Sequence, residues 1–171
     1  SEKVQGIISH KTVEDLPQVD LAILAIPAKM CPSAVDTLCS KKGCKAVIIF
    51  SAGFHEDSPE GALLEEEIVR TVNKAGASLI GPNCIGVITT NYTGAFTKPI
   101  PALSEGGVDI ISGSGATVVF IIEAAMQLGL KFSSVYSVGN SAQLGVEDIL
   151  KHMDETYIHG KSAPVKLLYI E

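Results

Sequence analysis

Short apolar runs alternate with longer amphipathic stretches in the first half of the chain. Val19–Ile26 and Ala46–Phe50 are apolar nearly throughout, which is typical of strands covered on both faces in a parallel sheet. Between them, Pro32–Lys42 begins with a proline suited to a first helical turn, and a glycine follows its last residue. The pattern predicts a strand, a helix and a second strand in succession.

A longer amphipathic segment follows these elements. Leu64, Ile68 and Val72 give it one apolar stripe at helical spacing, and Gly76 ends the predicted helix. Ala77–Ile80 is then a third short strand. This alternation of strands and helices predicts an open parallel α/β sheet, in which ligands bind at the carboxyl ends of the strands.

The second half repeats this alternation after a stretch without periodicity. Lys98–Gly107 contains two prolines and two glycines, so we expect a domain boundary between about residues 97 and 107. Ala116–Gln127 is a predicted helix that is apolar on most sides, and we expect neighbouring elements to bury it. The other predicted elements are the strands Val108–Ile111, Phe132–Val138 and Val165–Ile170 and the helix Glu147–Met153.

Composition and charge exclude several classes of protein. Of 171 residues, 46% are hydrophobic and 19% are charged, which excludes a disordered polar chain. The net charge of −6 argues against nucleic-acid partners and against adhesion to an anionic membrane. The longest apolar runs, Leu21–Ile26 and Ala116–Ile122, are shorter than the ~20 residues of a membrane span.

The cysteines and histidines do not predict a metal centre. The four cysteines form no C-x-x-C pair, and no histidine lies at a metal-ligand spacing from them. We therefore expect reduced thiols, no metal and a cytoplasmic location. All four histidines, His55 among them, are expected at the surface, and Glu65–Glu67 is expected on the solvated side of its helix.

The loop Ser112–Gly115 precedes the apolar helix of the second half. Free N–H groups at a helix N-terminus, together with the helix dipole, form an anion site, and two glycines allow the chain to wrap closely around a ligand. A Walker-type nucleotide site is not supported, because no Gly-Lys-Ser/Thr follows. The alternative is a capped turn in which Ser114 only satisfies free amides.

Two further candidates lie at predicted strand ends. In Gly81–Cys84, the asparagine amide and the thiol could lie beside a ligand. Alternatively, Asn83 is a left-handed turn residue and the thiol is buried and inert. Glu171 directly follows the last predicted strand, where an acid would face the crevice at the sheet edge.

An ordered set of motifs resembles one family. The motifs are Val19–Ala22 with Ile26–Ala28, Ser51–Phe54, Gly81–Val87, Ser112–Gly115, Ser137–Asn140 and Tyr169–Glu171. With these motifs the chain resembles the NDP-forming acyl-CoA synthetases, which include ADP-forming acetyl-CoA synthetases and the α subunit of succinyl-CoA synthetase. The resemblance covers essentially the whole chain.

The resemblance implies a fold and a set of site residues. Residues 1–97 would form a Rossmann-like CoA-binding domain without its first βα unit, and residues 107–171 the start of a flavodoxin-like ligase domain. The helix that begins at Ser114, Gly115 and Ala116 would face a phosphohistidine held by Glu171. The CoA cleft would be lined by Ile26, Pro27, Phe50, Ser51, Ala52 and Gly53, with Asn83 and Cys84 near the thioester end.

The resemblance also implies a reaction and its participants. Acyl-CoA, phosphate and ADP or GDP would give the acid, coenzyme A and ATP or GTP, through an acyl phosphate and a phosphohistidine. The nucleotide and Mg²⁺ would bind an ATP-grasp module or subunit outside this chain, and the enzyme would be an oligomer.

The chain also departs from this family. It has no opening glycine loop and no glycine-flanked histidine after Glu171, and Gln143 stands where many relatives carry aspartate. We therefore expect a fragment that is inactive alone and binds CoA weakly. The alternative is a non-catalytic acyl-CoA-binding regulatory module, as in the synthetase-like regions of some protein acetyltransferases. An NAD-type Rossmann domain is disfavoured, because no G-x-G-x-x-G motif is present.

Overall fold

The computed structural model describes residues 2–171 and begins with a small hairpin. Its strands β1 (Lys3–Val4) and β2 (Ile7–Ile8) are antiparallel and have two residues each. Gln5 and Gly6 form the turn with positive φ angles of 50° and 84°, a conformation that glycine adopts readily. The sequence pattern did not predict this hairpin, because neither strand is long enough to produce a detectable periodicity.

A three-stranded parallel sheet organises the first half. Its strands β3 (Leu21–Leu24), β4 (Ala46–Ile49) and β5 (Ser78–Ile80) lie in that order. The connecting helices α1 (Cys31–Lys41) and α2 (Pro59–Ala75) correspond to the two predicted helices. The predicted parallel α/β arrangement is confirmed.

Only part of this sheet is covered on both faces. Val47 and Ile49 of β4 pack in the core with α1 and α2, whereas Ile48 faces the other way, toward Val87 of the second half. The expectation that the first strand is covered on both faces is wrong. Leu21 and Ile23 of β3 remain 36% and 43% exposed, because β3 lies at the edge of the sheet.

The second sheet has five strands. The strands β6 (Gly86–Thr89) and β7 (Tyr92–Ala95) form an antiparallel hairpin, and β6 also pairs with β9. Parallel pairing joins β8 (Leu103–Ser112) to both β9 (Phe132–Ser137) and β10 (Val165–Tyr169). The order is β10-β8-β9-β6-β7, so this sheet takes strands from both sides of the predicted domain boundary.

The helices α3 (Gly115–Gln127) and α4 (Val146–Glu155) cover opposite faces of the second sheet. The expectation that neighbours bury α3 is wrong. Val118 and Ile122 face the sheet and are buried, but Phe120 is 71% exposed, because no described element packs on the outer side of α3. Within residues 2–171, no helix is both long and apolar enough to cross a membrane.

Candidate functional site

The loops at the carboxyl ends of the first sheet's strands are joined by hydrogen bonds. Ser51 Oγ donates to the carbonyl of Ile26, and the Asn83 N–H donates to the Ser51 carbonyl at 2.9 Å. At Gly53, φ is +102°, and a Cβ there would lie 3.3 Å from Cβ of Ala28. These loops therefore form one closely packed edge, as expected for a ligand site of a parallel sheet.

The turn after β5 is a left-handed turn at Asn83 with a buried thiol at Cys84, which was the alternative to a ligand-binding turn. Asn83 is left-handed, with φ 56°, and Cys84 is 2% exposed. The Cys84 thiol donates to the Ile49 carbonyl at 3.3 Å, and burial raises the pKa of this thiol to about 12. The thiol is therefore neutral near pH 7 and is not an activated nucleophile.

Thiol alkylation tests this assignment. At pH 8 in the folded protein, we expect an alkylating reagent to modify the partly exposed Cys39 before Cys84, because the Cys84 thiol is both covered and protonated. Mass spectrometry of tryptic peptides measures both sites, and unfolded protein is the control in which the two rates become similar. Equal rates in the folded protein would contradict the assignment.

The start of α3 carries two backbone N–H groups that find no acceptor in the part of the chain that the structure describes. Ser114 Oγ accepts from the Thr117 N–H at 3.3 Å and from the Thr117 hydroxyl at 3.0 Å, so the capped-turn interpretation describes this side chain. Within residues 2–171, no acceptor takes the N–H of Gly115 or of Ala116. These amides lie at the positive end of the helix dipole and can donate to an anion.

A cavity of about 340 Å³ joins this helix start to the first half. Glu171 also reaches it, since β10 pairs with β8 and brings the residues after Tyr169 beside the loop after Ser112. Phe50 and Phe96 form one wall, with their ring centroids 4.9 Å apart. The lining residues are Phe50, Asn83, Cys84, Ile85, Phe96, Gly113, Ser114, Gly115, Ala116 and Glu171.

The cavity thus brings together predicted residues from both halves of the chain. All four residues predicted around the phosphohistidine line it, as do three of those predicted to bind CoA. The others are outside this cavity, on the loops after β3 and β4: Ile26, Pro27, Ser51, Ala52 and Gly53.

A second cavity, of about 630 Å³, borders a polar network that the sequence pattern did not predict. His55 Nδ1 lies 2.7 Å from Glu65 Oε1, and Glu65 is only 8% exposed. His55 is at the surface, as expected, with its side chain 48% exposed, but the expectation of a solvated Glu65 is wrong. Glu65 lies three and seven residues before Ile68 and Val72, so helical spacing already places it on their buried face.

Glu56, which lines the same cavity, is held by several donors. Burial alone would raise the pKa of Glu56, but hydrogen bonds from Asn140 Nδ2 and from the N–H groups of Gly53 and Phe54 outweigh it and lower the pKa. A carboxylate stabilised in this way fastens the loop after β4.

The lowered pKa predicts a pH dependence of stability. The contribution of Glu56 is complete above the pKa of an unfolded glutamate, about 4.3, and is lost as the pH falls through the lower folded value. We expect Glu56→Gln to remove part of the fall in unfolding free energy between about pH 5 and pH 3. Urea unfolding at each pH measures the free energy of unfolding. The control is Glu123→Gln, on the exposed side of α3. Identical pH profiles for wild type and Glu56→Gln would contradict the prediction.

Two family models match the chain. A CoA-binding domain matches residues 1–90, and a succinyl-CoA ligase-like flavodoxin domain matches residues 105–171. The chain is 36% identical over 170 residues to acetate–CoA ligase [ADP-forming] I of Archaeoglobus fulgidus, covering 99% of this chain and 24% of that protein. It is 37% identical over 158 residues to the α subunit of acetate–CoA ligase [ADP-forming] II of Pyrococcus furiosus, covering 91% and 34%.

Solved structures give the same relationship. The acetyl-coenzyme A synthetase 1 of Ca. Korarchaeum cryptofilum, in complex with phosphate and ADP, superposes with a TM-score of 0.86 at 30% identity, over 100% of this chain and 36% of that one. The chain spans about a quarter to a third of the length of the two sequence relatives. The resemblance found in the motifs is confirmed: the chain belongs to the CoA-binding domain family, and its relatives are ADP-forming acetyl-CoA synthetases.

Proposed function

We propose that this chain forms the CoA-binding and phosphate-accepting part of an ADP-forming acyl-CoA synthetase. The complete enzyme would convert acyl-CoA, phosphate and ADP into the acid, coenzyme A and ATP. The observation that carries the proposal is the smaller cavity, where the free amides of α3 and Glu171 meet the turn at Asn83 and the ring of Phe50.

The α3 amides are proposed to bind a phosphoryl group. The N–H groups of Gly115 and Ala116 would donate to its oxygens, with the helix dipole adding to the attraction. Gly113 lies next to Glu171, since a Cβ on this glycine would be in van der Waals contact with Cβ of Glu171 at 3.8 Å. The Ser114 side chain caps the helix as an acceptor from the Thr117 N–H and hydroxyl, so its own O–H would be a further donor to the phosphoryl group.

Glu171 is proposed to orient an imidazole rather than to contact phosphate. A carboxylate beside a phosphoryl group is repulsive unless a donor lies between them. An imidazole fits this requirement, since one ring nitrogen donates to the carboxylate while the other faces the phosphoryl group. The histidine would come from outside this chain. His55 does not fit this role, because it does not line this cavity and is held by Glu65 instead of Glu171.

The first sheet's loops are proposed to hold coenzyme A. The cavity of about 340 Å³ is at the small end of ligand sites, so it suits the thioester end rather than the whole coenzyme. The rest of the coenzyme would run over the loops that follow β3 and β4, along Ile26-Pro27 and Ser51–Gly53. CoA supplies the thiol of the reaction, and the buried Cys84 stays outside the chemistry.

Several participants are proposed to lie outside this chain. We assign ADP and Mg²⁺ to an ATP-grasp module or subunit, and we propose a cytoplasmic, oligomeric enzyme. The chain alone is expected to bind acetyl-CoA without turning it over, because it supplies neither a nucleotide module nor the histidine that would carry the phosphoryl group.

Titration of the isolated chain tests the proposed function. We expect calorimetry to detect CoA and acetyl-CoA with an affinity weaker than micromolar, and NMR to detect inorganic phosphate at α3. A luciferase assay with acetyl-CoA, phosphate and ADP is expected to detect no ATP. Binding of neither CoA nor phosphate, or ATP formation by this chain alone, would contradict the proposal. Binding of acetyl-CoA without phosphate would favour the regulatory-module alternative.

A further inference from the structure

The segment after β9 lies along the open edge of β5 and joins the two halves. We call Gly139–Gln143 the bridging segment. Its backbone N–H groups donate to the first half, from Asn140 to the Pro82 carbonyl at 2.9 Å and from Ala142 to the Gly81 carbonyl at 3.2 Å. The backbone of the bridging segment is therefore bonded directly to the turn that follows β5.

The side chain of Gln143 extends this pairing. Its Oε1 accepts from the N–H of the buried Leu79 at 2.6 Å. Its Nε2 donates to Asn73 Oδ1 at 2.6 Å and to the Ala77 carbonyl at 3.1 Å. One acceptor and two donors are all used, which only a carboxamide can supply at this position.

Asn140 makes the contacts nearest to the proposed site. Its Nδ2 donates to Glu65 Oε2 at 2.9 Å and also to Glu56 Oε2, so a single amide nitrogen satisfies carboxylates from two different elements. Its Oδ1 lies 3.4 Å from Asn83 Nδ2. The Asn140 amide therefore connects α2, the loop after β4 and the turn after β5 to the end of β9.

These carboxylates lie in acidic surroundings. Glu65 is paired with His55, while Glu147 and Glu171 line the same cavity as Glu56 and Asn140. On the side of α2, Glu66 and Arg70 line a cleft next to Glu65. An amide donor at position 140 stabilises the two carboxylates, whereas a third carboxylate there would repel both of them.

We propose that Asn140 is a positioning residue that sets the spacing between the CoA loops and the phosphate loop. On the CoA side, Asn140 fixes Glu56, and the Glu56 carboxylate accepts from the Gly53 N–H. On the phosphate side, Asn140 fixes the bridging segment, and the Gly139 carbonyl oxygen would lie 3.8 Å from a Cβ on Gly113. The inference rests on the proposed function for the identity of the two ligands, CoA and phosphate. The hydrogen bonds of Asn140 do not depend on that function.

A charge-matched rescue tests the inference. In Asn140→Asp, we expect amide hydrogen exchange at Leu79, at Ala142 and at the substituted residue itself to accelerate at pH 7 by about tenfold or more relative to wild type, the factor typical of losing a hydrogen bond to a charged group. Adding Glu65→Gln restores one amide–carboxylate pair and should return exchange to within about threefold of wild type. The control combines Asn140→Asp with Glu66→Gln, on the exposed neighbour of Glu65. This double variant has the same net charge as the first one, but its exchange should remain as fast as in Asn140→Asp alone.

Two further measurements separate positioning from simple destabilisation. The acceleration in Asn140→Asp should shrink near pH 4, where carboxylates begin to protonate, and phosphate affinity should fall and recover in parallel with exchange. The inference is overturned if both second substitutions rescue equally, if all amides accelerate alike, or if Asn140→Asp exchanges as wild type does. If wild type binds neither phosphate nor CoA, the proposed function fails, while the exchange rates still decide the role of Asn140.

Discussion

Replacing Gly139 with alanine is expected to destabilise the protein by about 3 kcal/mol or more, because two costs combine there. Gly139 has φ +56°, and a Cβ on it would lie 2.1 Å from the Pro82 carbonyl oxygen and 2.5 Å from that of Asn83. Both neighbours are backbone atoms of the first half, so the clash can be relieved only by a shift of the backbone where the two halves meet.

Gly76 offers a matched control for the backbone conformation. It has φ +59°, and a Cβ there would meet nothing within 4 Å. Gly76→Ala should therefore cost only the left-handed strain of a non-glycine residue, about 1–2 kcal/mol. Urea unfolding measures both variants. Equal losses of stability would mean that close contact between the halves at Gly139 is not required.

Ala116→Asp is expected to weaken phosphate binding by about fivefold or more, since a single pair of like charges a few ångströms apart costs at least about 1 kcal/mol. Ala116 is exposed at the second position of α3, so the new side chain has room. An acid in the first turn also favours the helix, so the free energy of unfolding should stay constant or rise slightly. Loss of binding without loss of stability would be specific to an anion site.

Ala116→Asn is the neutral control for this substitution. It has nearly the same size as aspartate and should retain most of the phosphate affinity of the wild type. Chemical-shift titration with inorganic phosphate at fixed ionic strength measures all three proteins. Equal affinity in Ala116→Asp and Ala116→Asn would contradict a phosphate site at the start of α3.

The sequence pattern predicted local elements well where chain neighbours decide the structure. The helix α2 ends with Gly76 in a left-handed conformation, as predicted, because a glycine after the last helical turn is a local signal. The pattern could not predict that β3 lies at an edge or that Phe120 stays exposed. Those outcomes depend on which elements pack against each surface, and periodicity does not contain that information.

The same distinction applies to the candidate site. The free amides of Gly115 and Ala116 follow from a glycine loop that opens a helix, and the sequence predicted them. The network of Glu65 and Asn140 was missed, because its partners are 75 positions apart in the chain. The spacing of Glu65 from Ile68 and Val72 indicated burial, but an acidic run was interpreted as solvated. Only the structure brings those residues together.

The central claim is that the free amides of α3 bind a phosphoryl group beside the CoA loops. An amide-resolved NMR titration of the wild-type chain with inorganic phosphate, and then with acetyl-CoA, tests it most directly. We expect phosphate to shift the amides of Gly113 to Ala116 most strongly, and acetyl-CoA to shift those of Phe50 to Gly53 and Asn83. The claim would be contradicted if phosphate changed the amide chemical shifts at the start of α1 or α2 instead, or changed none at the start of α3.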